Sequence, residues 1–266
     1  MSTGWERENR THFDEIVVNY DKTRPEYPKQ LFADLFHYAG AAEGKTAIEI
    51  GAGTGKATAP VLAAGYDVTA VEIGANMAAF LRHKFAGHEH FRVLVNSFEE
   101  APLEENSCDL IYAASAFHWV DASIGCPKAF RLLKSGGVFA LLRYNTPPAN
   151  DEALYEEIQA LYQRHFPKTY RPLRENLNEP AELSKNFGFE DMRSYGFQNV
   201  SLKLYDTPII YSADEYLVLL DTLADHRTMP ENDRAALYAG IKSAIAKHGG
   251  QHRVDHVFQL YTGKKP

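Results

Sequence analysis

Cysteine is nearly absent from this chain: 266 residues contain two, Cys108 and Cys126. One lies in an apolar, strand-like run and the other precedes Pro127, so there is no second pair to build a zinc site or a disulfide framework. Both read as reduced, structural thiols. No uninterrupted apolar run reaches the roughly 18 to 20 residues that span a bilayer. The opening residues, Met1-Ser2-Thr3-Gly4-Trp5-Glu6-Arg7, lack the apolar core of a secretion signal, so a cytoplasmic protein with no membrane partner is expected. A basic excess is missing too, since 28 Lys and Arg stand against 35 Asp and Glu, a formal net charge of −7. That balance argues against a surface built for phosphate backbones, and no nucleic-acid partner is expected. The sequence has no internal repeat and no low-complexity tract.

What the chain does have is 45% hydrophobic and 12% aromatic residues, enough to bury a substantial core. Its most informative stretch is Ile48-Glu49-Ile50-Gly51-Ala52-Gly53-Thr54-Gly55-Lys56-Ala57-Thr58, where an apolar strand end turns through three alternate glycines into a helix start. Without a Cβ, such residues take positive φ and let the backbone approach a ligand closely. Ahead of this loop, a short helix around Asp14 to Tyr20 runs into a segment stopped by Pro25 and Pro28. A second helix carries Leu31, Phe32, Leu35, Phe36 and Ala39 at amphipathic spacing, with Gly40 where a helix end wants it.

From Thr46 the pattern alternates strand and helix. Strands are expected at Thr46–Ile50, Tyr66–Val71, Phe91–Val95, Asp109–Ala113 and Val138–Leu142, with helices up to Ala64, over Ala75–Lys84 and over Ala122–Leu133. Nearly continuous apolar strands joined by helices describe a parallel sheet covered on both faces, and five of them make a doubly wound sheet. Past Arg143 the alternation breaks, with a helix near Asp151 to His165 and a polar region from Pro167 to Pro180. Strand patterning returns at Val200–Tyr205 and Val254–Tyr261, around helices at Ala213–Leu223 and Glu231–Lys247.

The glycine loop narrows the choice of cofactor. A dinucleotide G-x-G-x-x-G would need a third glycine at position 56, which is Lys56, and a P-loop would need Ser or Thr after Gly55-Lys56, where Ala57 stands. Glu49-Ile50-Gly51-Ala52-Gly53-Thr54-Gly55 instead resembles motif I of the class I S-adenosylmethionine-dependent methyltransferases, E-x-G-x-G-x-G. Further motifs follow in that family's order. Val68-Thr69-Ala70-Val71-Glu72 ends its strand in an acid, which in the family binds the two ribose hydroxyls. A carboxylate suits a vicinal diol, because it accepts two hydrogen bonds at once. Asn96-Ser97-Phe98-Glu99 stands where the family contacts adenine; Ser97 replaces the usual Asp, which leaves the backbone at Phe98 as the expected contact. Leu103 to Asp109 and Leu132-Leu133-Lys134-Ser135-Gly136-Gly137-Val138-Phe139 look like the entries to strands four and five. Tyr20, with Arg24-Pro25 and Tyr27-Pro28, resembles the cofactor-covering segment of the type 11 branch that includes ubiquinone-type and trans-aconitate-type methyltransferases.

The resemblance implies one α/β domain with a Rossmann-like, doubly wound seven-stranded sheet whose last strand is antiparallel. It is divided into a helical N-terminal lid (1–40), a cofactor-binding core (41–143), a cap insertion (144–200) and C-terminal strands and helices (201–266). The implied cofactor is S-adenosyl-L-methionine. Its implied contacts are Tyr20, Arg24, Glu49, Gly51, Ala52, Gly53, Thr54, Gly55, Glu72, Ile73, Met77, Ser97, Phe98, Ala114, Ser115, His118 and Trp119.

Acceptor chemistry is expected after strand four, in Ala113-Ala114-Ser115-Ala116-Phe117-His118-Trp119-Val120-Asp121, at the carboxyl edge of the sheet. The Asn/Asp-Pro-Pro-aromatic motif of enzymes that methylate exocyclic base amines is missing there, and Asn145-Thr146-Pro147-Pro148 falls after strand five with the wrong spacing. Histidine as a residue type ordinarily titrates near neutrality, so His118 suits a general base. It also suits a structural cap on the helix starting near Asp121, or a cofactor contact without proton transfer. Trp119 reads as packing or stacking. Arg24, Arg143, Arg164, Arg171 and Arg227 are candidate clamps for an acid, Arg143 best placed at the end of strand five, with Tyr27 beside it in the acceptor role. Neither His248/His252/His256, interrupted by Gly249-Gly250, nor His83/His88/His90 has ligand geometry, and no metal is expected. Methyl transfer to a small-molecule acceptor by in-line displacement is the leading reading. The alternatives are a non-catalytic binding or regulatory protein on the same fold and an NAD-dependent oxidoreductase.

Overall fold

Strand β1 is the apolar pentad Thr46–Ile50, with four of its five residues buried. Burial on both faces is what a central parallel strand demands, and it accounts for the missing two-residue alternation. The computed structural model describes residues 14–147, 152–167 and 189–266. Among these, β1 pairs in parallel with β2 (Asp67–Glu72) and β4 (Cys108–Ala114), placing Ile50 opposite both Val71 and Ala113. Strand β3 (Phe91–Val95) adds to β2 and β5 (Leu133–Asn145) to β4, again in parallel. Strand β7 (Gln251–Lys264) sits between β5 and β6 (Gln198–Ser212), which completes the order β3-β2-β1-β4-β5-β7-β6. The sheet is therefore the expected seven-stranded, Rossmann-like one, parallel at its centre and antiparallel in its last strands.

The helices follow the sequence closely. Helix α1 is Val17–Thr23, and α2, Lys29–Ala39, buries Leu31, Phe32 and Leu35 before stopping at Gly40, whose φ of 80° suits only glycine. Helices α3 (Thr58–Ala63), α4 (Ala75–Lys84) and α5 (Ala122–Leu132) connect the parallel strands. Helix α6 is Glu152–His165, and α7 (Ala213–Asp221), α8 (Ala224–Arg227) and α9 (Glu231–Lys247) fall between β6 and β7. Ser212 and Glu215 form a reciprocal capping box at the start of α7.

Three strands run well past their sequence pattern, and β4 exceeds its own by one residue at each end. Strand β5 starts at Leu133 rather than Val138, because Gly136 and Gly137 keep backbone bonds to Lys265 instead of breaking the strand. Strand β6 runs through Pro208 to Ser212; β7 is its one neighbour in the sheet, and proline is tolerated on such an edge. Strand β7 gains three residues at each end over Val254–Tyr261.

The chain divides into two compact units. One comprises Glu26–Tyr144, Pro180–Tyr205 and Phe258–Pro266, and the other Met1–Pro25, Asn145–Glu179 and Asp206–Val257. In the first, one face of the sheet packs Ile48, Ile50, Ile111, Phe139 and Leu141 against Cys126, Ala129 and Leu132 of α5. The opposite face packs Leu110, Tyr112, Val138 and Phe258 against α2 and α3. Each fully buried Leu or Phe contributes about 1.5–3 kcal/mol. In the second unit, α6 and α9 bury Leu154, Ile158, Leu237 and Ile241 together. Among the described residues no helix is long and apolar enough to cross a membrane.

Candidate functional site

The loop after β1 is held by glycine geometry. Gly51, Gly53 and Gly55 have φ of 64°, 55° and 81°, all in the left-handed region. A Cβ on Gly51 would lie 2.6 Å from the Cβ of Ala116, so this glycine lets the β1 loop meet the loop after β4. A Cβ on Gly55 would lie 2.6 Å from Phe85 Cε2, at the end of α4. These two glycines thus serve close approach within the protein. Ala52 is buried against Ala70 and Leu81, and the buried Thr54 accepts a bond at its carbonyl from Lys84 Nζ at 2.9 Å. Thr54 Oγ1 is buried with no hydrogen-bond partner among the described residues. Lys56, at the position where a dinucleotide fold needs glycine, is ion-paired with Glu26.

Two carboxylates organise the loop from below. Glu72, at the end of β2, accepts the Gly53 N–H on Oε2 at 2.7 Å and the Gly74 N–H on Oε1 at 2.9 Å. Both oxygens are thereby fixed in place. Glu49 is buried, and its Oε2 accepts the hydroxyl protons of Thr58 at 2.5 Å and Tyr112 at 2.9 Å. Burial pushes its pKa up to about 8, against the two hydrogen bonds and with the charge of Glu72 adding to the rise. At the start of α4, Ile73 is half-buried and Met77 buried.

After β3, Ser97 begins a turn in which its carbonyl accepts the Ala101 N–H at 2.9 Å and its Oγ the Glu100 N–H at 3.3 Å. Its side chain therefore works inside the turn, and the Phe98 ring is buried with Lys128 Nζ 5.5 Å from its centre. After β4, Ala114 is half-buried and Ser115 takes a φ of 51°, unusual for a residue with a Cβ. Two bonds hold it there: its N–H donates to Leu142 O at 2.8 Å, and its Oγ lies 2.7 Å from the Tyr27 hydroxyl. Phe117–Trp119 forms a 3₁₀ turn, with His118 exposed and its ring centre 5.0 Å from that of the buried Trp119. The cap of α5 is Asp121, which accepts the Ser123 N–H at 3.0 Å, so His118 does not fill that structural role. Arg143, at the carboxyl end of β5, is half-buried; burial pulls its pKa down to about 10, opposed by Tyr27 and Tyr144, and it stays charged near neutrality.

The structure thus gathers Glu49, the glycine loop, Glu72, Ser97, Phe98, Ser115, His118 and Arg143 around the carboxyl ends of the parallel strands of one unit. Tyr20 and Arg24 belong to the other unit, where the Arg24 guanidinium lies 4.9 Å from the Tyr20 ring centre and donates to Thr222 O at 2.5 Å. Arg227 pairs with Glu15 and Asp221, Arg164 is exposed, and Arg171 lies outside the described residues. No metal-binding cluster occurs among the described residues. The sequence reading missed Thr58, Tyr112 and Gly74. Only Thr58, at the start of the helix after the loop, carried a local signal.

A seven-stranded sheet of this order, with a glycine loop after β1 and an acid ending β2, resembles the architecture of the class I S-adenosylmethionine-dependent methyltransferases. Residues 48–141 match the family model described as a methyltransferase domain, and S-adenosylmethionine is the cofactor of that class. An uncharacterized methyltransferase of Mycobacterium tuberculosis is 34% identical over 140 residues, 53% of this chain and 54% of that protein. The chain therefore spans about half the length of the mycobacterial relative it matches. An uncharacterized methyltransferase of Schizosaccharomyces pombe is 25% identical over 257 residues, 94% of each chain. Haemonchus contortus phosphoethanolamine N-methyltransferase 2, solved with phosphomonomethylethanolamine and S-adenosylhomocysteine, shares the fold at a TM-score of 0.55. That likeness has 18% identity and covers 100% of this chain and 61% of the other.

Proposed function

We propose that this protein transfers the methyl group of S-adenosylmethionine to a small-molecule acceptor by in-line displacement. The observation that carries the reading is the Glu72 carboxylate, fixed at the end of β2 by the Gly53 and Gly74 N–H groups beside the glycine loop, since a carboxylate suits the two hydroxyls of a ribose diol. The unpartnered Oγ1 of Thr54 supports it, since a buried hydroxyl in a glycine loop is suited to a ligand's polar end. In this reading Gly51 to Gly55 cradle the amino-acid end, Ile73, Met77 and Phe98 form the apolar surroundings of the adenine, and Ser97 shapes the adenine turn. Glu49 acts from beneath, holding β1 to Thr58 and Tyr112 so that the loop keeps its shape.

When bound, the cofactor supplies a methyl group on a positively charged sulfur, which is already activated toward a nucleophile. The protein's part is then to hold the acceptor in line and exclude water, and such positioning supplies much of the acceleration. Ala114, Ser115, His118 and Trp119 border that step. The left-handed φ of Ser115, maintained by Tyr27 and Leu142, turns the loop after β4 at this point. In this reading His118, exposed on its 3₁₀ turn, takes the proton from an acceptor that carries one. Arg143 places a positive charge at the same end of the sheet.

Calorimetric titration with S-adenosylhomocysteine tests the proposal, and no binding at millimolar ligand to folded protein would end it. Glu72→Ala is expected to weaken binding at least tenfold more than His118→Ala, with both proteins confirmed folded by circular dichroism. The opposite order would undo the assignment of roles. Release of labelled methyl from the cofactor into a small-molecule fraction separates an enzyme from a protein that only binds.

A further inference from the structure

Gln259, in β7, is completely buried, and neither its Nε2 nor its Oε1 has a hydrogen-bond partner among the described residues. Each buried donor or acceptor left unmade costs about 1–3 kcal/mol, so a carboxamide orphaned at both ends is a feature that needs a reason. The surrounding core offers none. Phe258 and Leu260 pack on the sheet face covered by α2, while Tyr261 packs on the other face with Phe139 and Leu141. By strand alternation Gln259 shares the Tyr261 face.

Its partner across the strands follows from the register. Lys265 bonds to Gly136 and Gly137, with Lys265 N–H donating to Gly137 O at 2.9 Å, and at the other end the rings of Phe258 and Tyr144 are 5.3 Å apart. Tyr144 lies seven residues after Gly137, and Phe258 seven before Lys265, so one antiparallel register joins both ends. It sets Gln259 opposite Arg143, on one face and at the carboxyl end of β5. Phe117, in the loop after β4, packs on Phe139 of that face, with ring centres 5.3 Å apart. The orphaned amide and the Arg143 charge therefore lie on the sheet face on which the loop after β4 packs, toward the end of the sheet where acceptor chemistry is expected.

We propose that Gln259 binds the methyl acceptor, and that the acceptor carries a planar donor–acceptor pair: a carboxamide, a lactam or a protonated carboxylic acid. Such a group fills both ends of the side-chain amide with two parallel hydrogen bonds, donating to Oε1 and accepting from Nε2, and its carbonyl oxygen lies toward Arg143. This inference rests on the methyl-transfer reading and adds the chemical class of its substrate.

The test uses the full chain saturated with S-adenosylhomocysteine and four probes followed by ligand-observed NMR: benzamide, 2-pyridone, benzoic acid below its pKa, and N,N-dimethylbenzamide, which lacks the donor. At least one of the first three is expected to bind about tenfold or more tightly than the dimethyl probe, the effect of one charge-neutral hydrogen bond pair in a dry site. Which of the three binds identifies the source of the donor–acceptor pair. Gln259→Leu is expected to abolish the discrimination, to leave S-adenosylhomocysteine affinity unchanged and to melt higher than the parent, because an orphaned amide has been removed. Gln259→Met, of similar length and without either end of the amide, is expected to abolish the discrimination as well. Equal binding of all four probes to the parent, discrimination that survives in both variants, or a Gln259→Leu protein that melts lower overturns the inference. Those results leave the methyl-transfer reading standing when S-adenosylhomocysteine still binds, whereas loss of that binding in the parent removes both.

Discussion

Replacing Glu49 with glutamine should stabilise the protein, by an amount that grows with pH. The carboxyl is 1% exposed, takes the hydroxyl protons of Thr58 and Tyr112 on one oxygen, and lies within reach of the like charge of Glu72. Burial is the largest influence and lifts its pKa from 4.5 to about 8. The unfolded chain thus releases this proton near pH 4.5 and the folded chain near pH 8. Between those values folding takes up a proton, so the contribution of Glu49 to stability is fully present at low pH and is lost as pH rises toward the folded pKa. One proton corresponds to about 1.4 kcal/mol per pH unit, so from pH 5.5 to 7.5 the parent should lose up to about 2.7 kcal/mol that the variant keeps. Glutamine preserves the acceptor oxygen that Thr58 and Tyr112 use, so the clamp on β1 survives the change. Urea unfolding followed by the fluorescence of the buried Trp119 measures the difference at each pH. In thermal melts the same difference is about 5–10 °C for a chain of this size. Stability curves of parent and variant that run parallel from pH 5.5 to 7.5 would refute the reasoning, because they would mean the carboxyl is already ionised in the folded protein.

Gly55→Ala should destabilise markedly, since its Cβ would sit 2.6 Å from Phe85 Cε2 and 2.9 Å from Leu81 Cδ2 at a φ of 81°. A loss of about 2–4 kcal/mol is expected from overpacking and backbone strain together, measured by urea denaturation. Gly65→Ala has a φ of 96° but nothing within 4 Å of the new Cβ, so it isolates the backbone part, about 1–2 kcal/mol. Tyr27→Phe removes the 2.7 Å contact with Ser115 Oγ, and about 1 kcal/mol of stability should go with it. The same variant should quicken amide exchange in the loop after β4, read by hydrogen-exchange mass spectrometry, because one of the two ties on the left-handed Ser115 is gone.

How much of this was legible in the sequence depended on whether the signal was local. β1, β3 and α4 match their patterns to the residue, because each is an apolar or amphipathic run bounded by turn residues. β5, β6 and β7 were read short, since Gly136-Gly137 and Pro208 look like breaks in isolation and only pairing with a neighbouring strand carries the chain through them. In the site, the glycine loop and Glu72 could be read from residue type and spacing. The clamp on Glu49 could not, because Tyr112 comes from a strand 63 residues away, and the tie between Tyr27 and Ser115 spans 88. Gln259 left no trace at all: one glutamine in an apolar strand has no pattern, and its meaning emerges only when its neighbours prove unable to bond it. The division into two units, each assembled from three separate segments, is likewise a property of tertiary packing.

The place of β7 in the sheet also sets an order of events during synthesis. Chains emerge from the ribosome N-terminus first, so β1 to β5 can pair while β5 still lacks its outer neighbour. Its run from Val138 to Leu142 is buried in the finished protein, and until Gln251–Lys264 has been made its backbone N–H and C=O groups form an open edge, a ready template for another chain. The last-made strand of this sheet is therefore the one that covers the open edge of β5, and a transcript cut short before Gln251 would release a chain with that edge uncovered.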